Sequence, residues 1–332
     1  MNIKASQQNL NIQKWVATVS VLLLAIKLIA YYYTSSVAVL TDALESIVNV
    51  VAGFIGLYSL YIAAQPRDTN HPYGHGKAEF LSAAIEGTLI GIAGITILYK
   101  AIMQLLHPVP LKQIDLGIVL IATTAVVNYG LGAYCVMKGR KNNSIALQAS
   151  GKHLQTDTWS TLGVVVGLTL VYFTDLTWID AAVAIILSFF IIYTSYKIIR
   201  ESVAGIMDEA DEKLLKQMIA LLNNNRRENW VDLHNLRVIK YGSVLHVDCH
   251  LTVPWYLNVH EAHSEIDALA LLIRKEFGES IELFVHADGC LEFQCPICTK
   301  TDCPVRKHEF DHKIEWTLDN VLSNKKHNSP KS

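Results

Sequence analysis

A chain of 332 residues that is 51% hydrophobic and only 17% charged departs from the soluble average, in which about a quarter of residues carry charge. Its formal net charge of -2 excludes the strongly basic face that a nucleic-acid partner requires. Apolar stretches fill the first 200 or so residues and charges crowd the remainder, which predicts a membrane half followed by a soluble half.

The stretch 1–14 is polar and precedes an apolar run long enough to span, so it is expected to be a cytoplasmic segment rather than a cleaved signal. A bilayer core needs about 20 apolar residues in a helix, and six spans are predicted: 15–33, 37–62, 79–106, 115–137, 145–173 and 178–198. Only Thr34-Ser35-Ser36 separates the first two, which predicts a tight hairpin. Lys4, Lys14, Arg67, Lys77, Lys138, Arg140, Lys141, Lys197 and Arg200 flank one side, against Lys112 on the other. By the positive-inside rule both termini are cytoplasmic, in a multi-pass protein of the inner (plasma) membrane.

Ionisable side chains at membrane depth cost roughly 2.5–3.5 kcal/mol each on insertion scales. Span two carries Asp42, Glu45 and Asn49 on one helix face, and span five carries His153 and Asp157 one turn apart. Two helices that each present donors one turn apart can enclose a tetrahedral ion. A lone polar residue in a span is often just a helix–helix hydrogen bond, on average under about 1 kcal/mol. Two spaced pairs on separate helices argue for a metal. Lys27 and Glu86 are read as structural, Lys27 by snorkelling or pairing with a carboxylate and Glu86 as facing the cavity of Asp42. Between spans two and three, Asp68, His71 and His75 lie among Pro and Gly turns, a second candidate metal site.

The soluble half is expected to run from 208 to 289 as an αββαβ domain: a helix over 210–224, strands at Leu236–Lys240 and Val244–Val253 around a Gly242-Ser243 turn, a helix over 259–277 and a strand over 281–285. Along the second strand, Leu245, Val247, Cys249, Leu251 and Val253 share one face, and His246, Asp248 and His250 the other. The tail 290–332 opens with Cys290-x4-Cys295-x2-Cys298-x4-Cys303, followed by His308 and His312. Clustered cysteines in a reducing compartment suit a Zn²⁺ site better than a disulfide framework, with an iron–sulfur cluster or an unliganded thiol cluster as alternatives. The last 20 or so residues are polar and expected to be loose. Cys135 and Cys249 read as buried small hydrophobes.

Several of these residues resemble the cation diffusion facilitator family, in particular its bacterial YiiP-like divalent metal exporters. Asn70-His-Pro-Tyr-Gly-His-Gly-Lys-Ala-Glu79 is similar to the family's cytoplasmic loop, and Lys27 through Ser46, His153-x-x-x-Asp157 and Leu233-His-Asn-Leu-Arg237 also match. The resemblance, over about 15–290, implies a six-helix transmembrane domain with a small metallochaperone-like cytoplasmic α+β domain. It implies a proton-coupled antiporter working by alternating access as a homodimer joined through that domain. It implies a transport site of Glu45, Asn49, His153 and Asp157, a loop site of Asp68, His71 and His75, and C-terminal metal ligands His234, His250, His263, His286 and Asp288 at a metal bridging two protomers. It also implies a charge interlock between Lys77 and Asp208 across the dimer. One departure is Glu45 and Asn49, where zinc members usually place Asp or His followed by Asp. Oxygen donors favour Mn²⁺ or Fe²⁺, while His153 keeps Zn²⁺ and Co²⁺ open; Zn²⁺ stands first as the family's commonest substrate.

A ligand imidazole must lose its proton before a metal binds, and histidine titrates near pH 6.5, so protons and metal compete for one site. No Gly-rich lysine loop of the nucleotide-binding kind is present, which fits a secondary transporter without nucleotide. The alternative is a membrane-anchored metal sensor, against which the polar pairs of spans two and five count. A metalloprotease is disfavoured because no His-Glu-x-x-His motif occurs.

Overall fold

Backbone groups in lipid must find their partners inside the segment, so long apolar runs form helices. The computed structural model describes residues 3–108, 110–141, 145–241, 244–278 and 281–329. The Gly242-Ser243 turn, the end of the basic 138–144 loop and the first two residues of the polar N-terminal segment lie outside the described residues.

Six long helices form one unit: α1 (Ile3–Thr34), α2 (Val37–Ala63), α3 (Ala78–Leu106), α4 (Ile114–Lys141), α5 (Ile145–Thr174) and α6 (Trp178–Ile206). The ends of α2 and α6 and the start of α3 belong to the second unit. Among the described residues five of the six are long and apolar enough to cross a membrane. The 30-residue α5 is as long but carries Lys152, His153, Gln155 and Asp157 in its first half. The six long helices match the six expected spans, and the one that falls short of the apolarity of the others is the helix with the candidate ligands.

Small residues let these helices approach closely, as packing in lipid requires. Gly132 on α4 faces Gly151 on α5, where a Cβ on either glycine would lie 2.7 or 2.6 Å from the other's carbonyl oxygen. The core is built from Ala30, Val39, Ile97, Ile121, Leu168 and Ala184, among others, while Phe54, Val126, Ile186 and Phe189 face outward.

At the α1–α2 hairpin Ser35 adopts a positive φ of 57°, and the turn is held from a distance by Asp180, fully buried at the start of α6. Its carboxylate accepts from Ser36 Oγ at 2.5 Å, from the Val37 N–H at 2.9 Å and from Gln104 Nε2 at 3.1 Å. One side chain thus ties α6 to α3 and to the N-terminus of α2, where the helix dipole favours a negative charge.

The second unit comprises residues 60–80 and those from 204 onward. It contains α7 (Glu212–Asn224), β1 (Asp232–Tyr241), β2 (Val244–Val253), α8 (Val259–Phe277), β3 (Ile281–Gly289) and a short α9 (Leu318–Val321). Asp211 caps α7 by accepting from the Leu214 N–H at 3.0 Å, and Asn258 with Glu261 forms a capping box on α8. The sheet order is β1-β2-β3. β1 runs antiparallel to β2. β3 runs parallel to β2, which requires a crossover, supplied by α8. As expected, Val247, Cys249, Leu251 and Val253 turn toward the core, against Leu215, Met218 and Leu222 of α7 and Leu269 and Ile273 of α8.

Several features differ from expectation, and β3 runs on to Gly289 rather than ending at 285. β1 begins four residues before Leu236, because a bulge between His234 and Arg237, with Asn235 at φ 53°, interrupts its alternation. The bulge restores phase, so that Leu233, Leu236 and Val238 all face the core. The tail is also not loose. Trp316 is buried in the core, its backbone paired with the Asn223 amide at 2.6 and 3.1 Å and its ring 4.2 Å from the Arg226 guanidinium. Val321 is fully buried, and the Asn235 N–H donates to the Ser323 carbonyl at 2.8 Å.

Candidate metal centres

Inside the helical unit, α2 and α5 meet through the expected residues. Asn49 Nδ2 donates to Asp157 Oδ2 at 3.0 Å, and His153 Nε2 lies 3.7 Å from the same oxygen, its side chain 56% exposed. Glu45 is half-buried and within electrostatic reach of Asp157 and Asp42. Glu45, His153 and Asp157 do not draw all their donor atoms within 4.8 Å of one another; among the described residues two other groups do.

Asp42 has a partner of its own. Lys27, 1% exposed, donates to Asp42 Oδ1 at 2.9 Å and to Ser46 Oγ at 2.9 Å. Thr161 of α5 donates to the same Oδ1 at 2.7 Å. Asp42 thus belongs to a buried ion pair joining α1, α2 and α5 one turn from Glu45. Lys27 pairs with a carboxylate rather than snorkelling. Glu86, half-buried on α3, is not brought into this network among the described residues.

The loop between α2 and α3 forms the first close group. His71 Nδ1 is 3.0 Å and His75 Nε2 is 3.5 Å from the Asp68 carboxylate, with the two rings 4.3 Å apart. Asp68 also accepts from the N–H groups of His71 and Asn70, and the His71 bond foremost holds its carboxyl below the usual range. Three donors meet within one turn.

The second close group spans the sheet. His234, His250 and His286 are cross-strand neighbours on β1, β2 and β3. Asp288 Oδ2 is 3.4 Å from His234 Nε2 and 3.2 Å from His250 Nδ1, and His286 Nδ1 is 3.4 Å from His250 Nδ1. Burial, above all, lowers the pKa of His234, favouring the neutral imidazole that a metal requires. Behind it, buried Asp232 stands 3.7 Å from His234 Nδ1, close enough to act by charge but beyond hydrogen-bond distance. His263 is not part of this group. It is 67% exposed on α8 and pairs with Asp267 at 3.8 Å.

Lys77 reaches Asp208 at 2.9 Å within one chain, whereas the expectation was a pair across two copies; it also donates to the Ile206 carbonyl at 3.3 Å. The four tail cysteines are free and share a neighbourhood. The Cys290 thiol is pushed up by burial and, secondarily, by nearby Cys298, Cys295 and Cys303. Their sulfurs do not close within 4.8 Å in the manner of the two His–Asp groups. Arg306 holds the segment, donating to the carbonyls of Cys295 at 2.9 Å, Cys298 at 3.0 Å and Lys300 at 2.6 Å. Cys135 and Cys249 are buried as expected, and burial pushes the Cys249 thiol up to about 12.

Sequence reasoning missed Asp180, Asp232, Lys326 and His327. An acidic residue opening an apolar span was a readable signal for Asp180; the tail residues carried none.

A family model of the cation efflux transmembrane domain matches residues 15–207, and one of the cation efflux protein cytoplasmic domain matches residues 210–290. The uncharacterized transporter sll1263 of Synechocystis sp. is 35% identical over 257 residues, covering 77% of this chain and 83% of that one. The cation-efflux pump FieF of Shewanella oneidensis is 27% identical over 267 residues, 80% of this chain and 89% of its own. FieF of Escherichia coli is 26% identical over 281 residues, with 81% and 89% covered.

Proposed function

The chain belongs to the cation diffusion facilitator family, multi-pass membrane transporters of metal cations, and we propose that it exports Zn²⁺ from the cytoplasm in exchange for protons. Fe²⁺, Mn²⁺, Co²⁺ and Cd²⁺ follow as substrates. It works as a homodimer joined through the C-terminal domain, in the inner membrane with both termini cytoplasmic, by alternating access.

One observation carries the reading: Asn49 of α2 and His153 of α5 converge on a single oxygen of Asp157. That oxygen accepts the Asn49 amide. A cation entering the site replaces that bond and takes the Asn49 carbonyl, the Asp157 and Glu45 carboxylates and the His153 imidazole. The Glu45 carboxyl and the His153 imidazole must release protons to bind it, so metal and protons occupy the site alternately. Asp157 is the anionic anchor, and His153 with Glu45 exchanges protons for the ion. The loop group of Asp68, His71 and His75 is a second metal site, and His234, His250, His286 and Asp288 hold a third, with His263 supplied from a second copy. A sensor merely anchored by its spans would have no use for ligands on both α2 and α5.

The test is metal-driven proton flux in reconstituted vesicles, with Zn²⁺, Fe²⁺, Mn²⁺, Co²⁺ and Cd²⁺ in parallel. His153→Ala is expected to abolish the flux, and Asn49→Asp to change the metal ranking. Unchanged flux in His153→Ala defeats the mechanism, and an unchanged ranking in Asn49→Asp defeats the selectivity argument.

A further inference from the structure

The tail beyond residue 290 lies outside both family models, yet it returns to the sheet beside the His234–His250–Asp288 group. The two oxygens of Asp288 have different partners. Oδ2 faces the imidazoles of His234 and His250. Oδ1 faces the Lys326 ammonium at 3.5 Å and, further off, His286 Nδ1 at 3.9 Å. That ammonium is anchored from behind, donating to the Gly289 carbonyl at 2.9 Å. The next residue is anchored too: the His327 N–H donates to Asp232 Oδ2 at 2.8 Å, and the His327 ring bonds the other Asp232 oxygen. Asp232 is the carboxylate behind His234, and it also accepts from Gln294 Nε2 at 3.2 Å.

We propose that the tail is a working part of this metal site: Lys326 is a tethered cation that neutralises Asp288 and opposes the incoming ion, and so sets the affinity of the site. The inference rests on reading His234, His250 and Asp288 as metal ligands. A half-buried carboxylate needs a counter-charge, and Lys326 supplies one from the same chain. A divalent ion accepted at Oδ2 is repelled by an ammonium at Oδ1 of the same carboxylate, and either displaces it or binds more weakly. Space for displacement exists. A cleft of about 420 Å³ lined by Asn320, Ser323, Lys325 and Asn328 opens beside Lys326. His327 and Asp232 are positioning residues: they fix the tail next to His234 and keep the ammonium within reach.

The consequence is a site with weakened affinity, filled only when free metal is abundant. With the screening of bulk water, removing one unit charge about 6 Å from a bound dication changes affinity about tenfold, and weaker screening enlarges the effect. The experiment is a Zn²⁺ titration of the full-length protein in detergent, reading the component of binding that His250→Ala removes. Lys326→Met is expected to tighten that component about tenfold and Lys326→Arg to leave it near the wild-type value. Hydrogen exchange in residues 318–329 is expected to rise on Zn²⁺ addition in the wild type, as the tail is released. Should His250→Ala remove no binding, the ligand assignment itself fails. Should His250→Ala remove a component that Lys326→Met leaves at wild-type affinity, the ligands stand and the role of the tail is overturned.

Discussion

Consider replacing Lys27 by Met. The side chain is 1% exposed, and its ammonium donates at 2.9 Å to Asp42 and at 2.9 Å to Ser46. Met has a similar volume and leaves little cavity, so the effect isolates the charge. Asp42 would then retain the Thr161 hydroxyl at 2.7 Å, and its Oδ2, which has no partner even in the intact pair, would remain bare. Removing one member of a buried ion pair costs about 3–5 kcal/mol, because the other charge stays desolvated and uncompensated. Asp42→Asn alone should cost a similar amount by stranding the ammonium. The double variant Lys27→Met/Asp42→Asn should recover most of the loss, since the Asn amide oxygen still accepts from Thr161 and no unpaired charge is left. The assay is a double-mutant cycle on the unfolding midpoint of the detergent-solubilised protein. Wild-type stability in Lys27→Met, or a double variant no better than either single one, refutes the reasoning.

Two further outcomes are expected. Burial, and then the nearby Arg67, holds the His246 imidazole below its ordinary 6.5. The unfolded chain therefore takes up this proton first, so the contribution is intact above about 6.5 and is lost as pH falls toward the folded value. His246→Gln should make the acid loss of hydrogen-exchange protection in β1–β3 shallower between pH 7 and pH 5; an unaltered profile contradicts it. The tail cysteines are expected to hold one Zn²⁺ per chain through their thiolates. Cys295→Ser with Cys298→Ser should lower the zinc content of the purified full chain by one ion, measured by plasma mass spectrometry, and undiminished zinc would remove the site.

Hydropathy made five membrane helices plain, and the polar residues that lower the hydropathy of α5 are the ones that made it interesting. The alternation of β2 was legible because both its faces are regular, one apolar and one carrying His246, Asp248 and His250. The start of β1 was hidden by its bulge: with Asn235 inserted, the period of two breaks where His234 stands. The packing of the tail was illegible because it depends on isolated anchors, Trp316 and Val321, with no repeating pattern between them. The loop and sheet metal groups followed from the spacing and the family resemblance. Their supporting carboxylate and ammonium, Asp232 and Lys326, are distant in sequence from the residues they serve, and only the folded chain brings them together.

The glycine contact between α4 and α5 bears on how any ion could move. A Cβ on either glycine would come within 2.7 Å of the other's carbonyl oxygen, so the two backbones approach closely at that crossing. A side chain on either glycine would force the two helices apart there. His153 and Asp157 ride on α5, so if these residues carry an ion, the close α4–α5 contact favours moving the two helices as a pair.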